Sequence, residues 1–209
     1  MHTMNRYTKM INTVGLLLLL TPILLIVSSA RLSAQENFNV IVSIAKGDLN
    51  KDLLLDSVVV TQDTIADTSP YRLEIFFAKK GGGYQLNILT DQAINEQHPN
   101  GKDGYRDGYG FSEVTIKAGV IDIFCQLLRG HFRHKFRYQN GNFELIGYSS
   151  KTSDPLGMSA VDFNLSTGVY LETEKYDDSE KKDNKRRKII RISPLPKLKD
   201  FVPYSNDLY

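Results

Sequence analysis

The feature that most limits the fold is a spacing of turns. Ala118-Gly119, Arg129-Gly130 and Asn140-Gly141 recur eleven residues apart, each between runs in which apolar and polar residues alternate. Asn-Gly in that setting is a strong hairpin signal, because both central residues of a tight type I′ turn take positive φ. The spacing predicts a four-stranded antiparallel meander over 111–148.

The same grammar recurs on both sides. Tyr71, Leu73, Ile75 and Phe77 alternate with Arg72 and Glu74, and Lys80-Gly81-Gly82-Gly83 turns the chain into Tyr84, Leu86 and Ile88. Thr167-Gly168 separates Val161-Asp162-Phe163 from Val169-Tyr170-Leu171. About ten short strands with no long amphipathic helix predict a mostly β chain, a single-domain antiparallel β-sandwich or open barrel. Asp91 to Asn100 has room for one helical turn at most.

Two stretches depart from the pattern. Residues 176–188 (YDDSEKKDNKRRK) are almost continuous charge and read as a long solvated hairpin tip, and 193–209 hold three prolines and read as a tail extended along the surface.

Composition agrees with a folded domain. A chain 41% hydrophobic and 24% charged, with one Cys and no Gly period, excludes disordered, fibrous and disulfide-scaffold classes. The net charge of +2 conceals two segments. Residues 1–34 carry Arg6, Lys9 and Arg31 and no acid, leaving 23 Lys and Arg against 24 Asp and Glu in 35–209.

Arg6 and Lys9 precede the apolar run Val14 to Val27, which is followed by Ser28, Ser29, Ala30, Ser33 and Ala34, the three-part pattern of a secretory signal peptide. The run is shorter than the roughly 20 residues a spanning helix needs. The expected product is therefore an exported β domain over 35–209, periplasmic or secreted, with no transmembrane segment; an uncleaved anchor is the competing reading. Cys125 alternates with Ile121, Ile123 and Leu127 and reads as a buried small apolar residue.

The most chemically specific segment runs from Ala45 to Asp56. Oxygen-bearing side chains at Asp48, Asn50, Asp52 and Asp56 form D-x-N-x-D-x-x-x-D between the apolar strands Val40-Val42-Ile44 and Val58-Val59-Val60. A calcium ion takes six to eight oxygens, and alternate residues of a tight loop can turn theirs inward. Gly47 to Asp52, followed by Asp56 and the Val run, resembles the calcium loop of FG-GAP or VCBS-type repeats. That resemblance implies Asp48, Asn50, Asp52 and Asp56 as side-chain ligands of a structural Ca2+ and Leu54 as the carbonyl ligand. The family places Gly directly after the third acidic position, where this chain has Leu53, and a β-carbon there strains a positive-φ turn by about 1 kcal/mol or more. The motif occurs once, so a propeller is excluded. Together with Lys135 to Tyr148, it is similar to a set of exported bacterial β-proteins that have no agreed activity to transfer. The other reading of the loop is an Asx-rich turn that caps its own amides.

A second constellation lies on one strand. Alternation puts Phe132, His134, Phe136 and Tyr138 on one face and His131, Arg133, Lys135 and Arg137 on the other. The cationic stripe suits an anionic glycan or envelope lipid; the competing reading is a solvated face balanced by Glu113 and Glu144. Nucleic acid is not expected of an exported chain with acids beside its basic run.

Catalytic motifs are sparse. Asp103 and Asp107, in the Gly-rich loop 98–110, are the candidate carboxylate pair for a secreted hydrolase acting on glycan or lipid. The sequence thus points first to an envelope binding or structural module, stabilised by calcium if the loop binds it, and second to that hydrolase.

Overall fold

The computed structural model describes residues 37–205 apart from 106, 107, 109 and 179. Residues 1–34, read above as a leader, Asp107 and the last four residues of the sequence lie outside the described residues.

Two uninterrupted meanders build the domain. The first comprises β1 (Phe38–Gly47), β2 (Asp56–Asp63), β3 (Tyr71–Ala78) and β4 (Tyr84–Thr90). The second comprises β5 (Gly110–Lys117), β6 (Val120–Leu127), β7 (Gly130–Gln139), β8 (Asn142–Asp154), β9 (Gly157–Asn164), β10 (Val169–Tyr176) and β11 (Asn184–Ile189). Every pair of neighbours is antiparallel, and neither sheet closes on itself. The predicted mostly β, antiparallel architecture is present in sandwich form, and the meander read over 111–148 is the opening part of a seven-stranded one.

The alternation seen in the sequence fills the space between the sheets. Val58, Val60, Leu73 and Ile75 of the smaller sheet and Ile121, Ile123, Phe132, Phe136, Phe143 and Leu145 of the larger are buried in one cluster. Rings join the layers directly: Phe77 meets Tyr138 at 5.1 Å and Phe143 at 6.0 Å, and Tyr71 meets Phe111 at 5.4 Å. At one side the sheet edges touch, where the Val114 amide donates to Ser43 Oγ at 3.1 Å. Cys125 is buried, as its spacing implied, and burial pushes its thiol up to about 12.

The turns at Ala118-Gly119 and Asn140-Gly141 have both residues at positive φ, as hairpins of this length require. The third is shifted by one residue. Leu128 and Arg129 make the loop, and Gly130 opens β7, where the Lys151 carbonyl lies so close that a β-carbon would collide with it. Asp91 to Asn100 contains no helix.

Two expectations are corrected. The charged run 176–188 is not one loop: Asn184–Ile189 pairs with β10 as an edge strand. Cross-strand partners replace the missing apolar alternation, since Arg186 reaches Glu172 at 3.6 Å and Glu174 at 3.9 Å, and Lys188 lies over the Tyr170 ring. The tail is not a surface strap. It returns from β11, receives the Leu145 amide on the Pro196 carbonyl at 2.8 Å, makes a 3-10 turn at Leu198–Asp200, and buries Leu198 and Phe201 in the core.

His134 sits under this tail, 1% exposed, with the rings of Phe132, Tyr148, Phe201 and Tyr204 between 4.9 and 6.3 Å away. Burial lowers its pKa to about 3, so the imidazole is neutral.

Candidate functional site

The loop between β1 and β2 is tied by its own side chains. Asp48 Oδ1 accepts from the Lys51 and Asp52 amides at 2.7 and 3.2 Å, and its Oδ2 from the Leu53 amide at 3.0 Å. Asn50 Oδ1 accepts from the Asp52 amide at 3.1 Å while its Nδ2 donates to Asp52 Oδ2, and Asp52 Oδ1 accepts from the Leu54 amide at 2.9 Å. Lys51 and Leu53 take φ of 66° and 67°. The left-handed turn foreseen at Leu53 is therefore real.

Asp56 plays a different part. It is 0% exposed, and its two oxygens accept from Leu49 at 2.8 Å and Ala78 at 2.9 Å, fastening the loop to the end of β3. Among the described residues no group of three acidic, His or Cys side chains converges as a metal cage. Asn50 and Asp52 thus meet through one side-chain bond, Asp48 caps the amides of Lys51, Asp52 and Leu53, and Asp56 faces inward. In this arrangement carboxylate lone pairs serve backbone amides, so the local geometry is that of an Asx-capped turn.

The stripe on β7 behaves as alternation required: Phe132, His134 and Phe136 are buried and Lys135 is exposed. Its charges are not equivalent. Arg133 pairs with Asp122 at 3.1 Å and lies 4.1 Å from the Phe124 ring centroid; Lys135 stands opposite Asp122, and Arg137 opposite Glu144. Glu144 accepts from Gln139 at 2.6 Å. Asp122, rather than Glu113, is the balancing acid.

Register reveals what the sequence pattern missed. Directly paired residues point to the same side of an antiparallel sheet. One outward row therefore runs Gln126, His131, Lys151, Ala160, Thr173, Lys185, and contains no acid. The next runs Phe124, Arg133, Ser149, Asp162, Leu171, Arg187. The late basic run thus divides: Arg186 and Lys188 lie on the opposite side of the sheet, exposed beside Glu172 and Tyr170, while Lys185 and Arg187 join the face that carries His131 and Arg133. From β7 to β11 the row spans roughly 19 Å, four strand spacings. Reading strand alternation through 184–189 would have found Lys185 and Arg187; the density of charge hid it.

The loop proposed for hydrolysis has a separate geometry. Asp103 is exposed, the loop is pinned by Lys102, whose Nζ donates to the Thr64 and Ile65 carbonyls at 3.0 Å, and His98 is buried beneath it. A cleft of about 280 Å³ lies elsewhere, between the β8–β9 turn and β10, lined by Thr152, Asp154, Leu156, Ser159, Glu174 and Tyr176. No helix among the described residues is long and apolar enough to cross a membrane.

No known protein family, curated protein or solved structure matches this chain.

Proposed function

We propose that this chain is an exported bacterial envelope module that binds an anionic glycan across the outer face of its seven-stranded sheet. The acid-free row His131, Lys151, Lys185, flanked by Arg133 and Arg187, carries the reading. A flat sheet with small Ala160 and Thr173 between the cations leaves space for an extended polymer, and regularly spaced carboxylates, sulfates or phosphates supply the complementary charge. Lys151 and Lys185 are exposed, and such contacts weaken with salt.

The test is binding of the exported protein to polyuronic and sulfated glycans against neutral dextran. The expected result is retention by the anionic polymers alone and at least about tenfold weaker binding by Lys151→Glu/Lys185→Glu. Undiminished glycan binding by that double variant sinks the reading. If the variant instead loses affinity for anionic vesicles while its glycan binding is unchanged, the partner of this face is an envelope lipid.

A structural calcium ion is a second element of the reading, supported by the positive φ of Leu53, which reproduces the turn where the resembled loops carry Gly. Asp48, Asn50, Asp52 and the Leu54 carbonyl would hold it, with Asp56 fixing the loop from within. Millimolar calcium is expected to raise stability by about 1 kcal/mol over chelator through mass action, and Asp52→Ala to erase the shift. A wild-type melt indifferent to calcium removes the ion from the account.

A further inference from the structure

One end of the sandwich gathers three turns. The Ala78 amide bonds Asp56 and so brings the β3–β4 tip against the 48–55 loop, and the backbone carbonyl of Asp48 lies beside Gly119, 3.3 Å from where a β-carbon would be. At the apex the loop sorts its leucines. Leu49 points into the core, whereas Leu53 is 90% exposed and Leu55 62% exposed. Leu53 adds backbone strain to apolar exposure, because its φ of 67° is one that L side chains seldom adopt. Neither property helps the isolated fold.

Lysines collar this apex. Lys51 stands beside Leu53, Lys79 and Lys80 occupy the Gly-rich tip, Lys117 precedes the neighbouring turn, and Lys46 rims the adjoining outer face. All five are exposed, and the ion pairs found among the described residues involve other cations. The acids of the loop, Asp48 and Asp52, turn their oxygens to its own amides. The outer face of the smaller sheet adds a groove of about 300 Å³ lined by Ile44, Val59, Phe76 and Tyr84 together with Lys46 and Ser57. Monomeric proteins seldom leave large apolar patches without a partner.

The charge pattern selects the partner. A second copy related by a two-fold axis would bring the lysine collar against itself. A bilayer with anionic headgroups meets both parts: leucines gain by entering the boundary between headgroups and acyl chains, and lysines by lying beside lipid phosphates. We propose that this end of the sandwich docks on an anionic lipid surface, with Leu53 and Leu55 as the inserting residues and Lys51, Lys79, Lys80 and Lys117 as the headgroup contacts. It is a different surface from the glycan face, and working in chelator keeps it apart from the proposed calcium ion.

The experiment is co-sedimentation of the exported protein, as its host processes it, with vesicles of phosphatidylcholine plus phosphatidylglycerol and of phosphatidylcholine alone, in chelator. Binding to the anionic vesicles alone is expected. Leu53→Ser/Leu55→Ser, and separately Lys79→Glu/Lys80→Glu, each reduce partitioning by about tenfold or more with an unchanged melting temperature, since these side chains lie outside the core. Lys151→Glu/Lys185→Glu leaves this partitioning intact, so failure of the glycan reading and failure of this one give different results. Equal binding by the wild type and both end variants, equal binding to the two vesicle types, or a lipid-free dimer that Leu53→Ser/Leu55→Ser dissociates would overturn the proposal.

Discussion

Outward from their common core, the two sheets differ in what they show to water. The larger sheet presents Lys151, Lys185 and Arg187 among Ser149, Thr173 and Asp162, while the smaller presents Ile41, Ile44, Leu86 and Leu89. An antiparallel sheet with one wet face normally alternates apolar and polar residues, and β7 obeys this strictly. On β1 the run Val40, Ile41, Val42 and Ile44 is exposed throughout. Packing explains the inner faces of both sheets and the outer face of only one. The surplus apolar surface on the smaller sheet is what the lipid proposal rests on, as the acid-free row of the larger sheet is what the glycan proposal rests on.

The comparison fails as a whole if the shared core is removed. Phe136, fully buried and 5.2 Å from the Phe201 ring, joins the larger sheet to the tail. Phe136→Ala is expected to cost about 3–5 kcal/mol in urea unfolding and to abolish glycan and vesicle binding together. Loss of one activity with the other retained would show that the two faces do not depend on a common fold.

A milder perturbation acts only beneath the tail. His134 binds a proton near pH 6.5 when the chain is unfolded but only near pH 3 when folded, so its contribution is undiminished at neutral pH and stability is lost as pH falls below about 6.5. The loss attributable to this group is about 2 kcal/mol at pH 5. His134→Phe should flatten that part of the pH profile of urea unfolding, and a variant profile parallel to the wild type would refute the assignment.

The smallest effect is confined to the apex. Leu53→Gly removes the β-carbon from a left-handed turn and is expected to stabilise the domain by about 1 kcal/mol while weakening vesicle binding. A gain in stability with vesicle binding unchanged would make Leu53 a tolerated irregularity, and the contrast between the faces would lose its sharpest point.

Much of this architecture was legible where side chains alternate and turns need positive φ. The hairpins around Ala118-Gly119, Asn140-Gly141 and Lys80 to Gly83 were readable because local sterics decide them. β11 was not, because its stability comes from Glu172, Glu174 and Tyr170 across the sheet, and charge density masks strand period. The role of the tail was equally hidden: Leu198 and Phe201 are ordinary residues in a Pro-rich stretch until a distant sheet gives them a surface to cover. For the sites, β7 announced His131 to Arg137 through simple alternation, yet the acid-free row exists only in register, which brings Lys151 and Lys185 beside residues far away in the chain. The 48–55 loop was found through its oxygens, while the significance of Leu53 and Leu55 depended on seeing them exposed.

The folded-back tail also sets an order in time. Leu198 and Phe201 complete the core over Phe136 and His134, so this part of the core closes only when a segment distant in sequence from β7 docks on it. Closure across such sequence distance is slow compared with hairpin formation. The domain thus carries its own delay: the meanders can assemble from local contacts, but the core over β7 locks only when Leu198 and Phe201 dock.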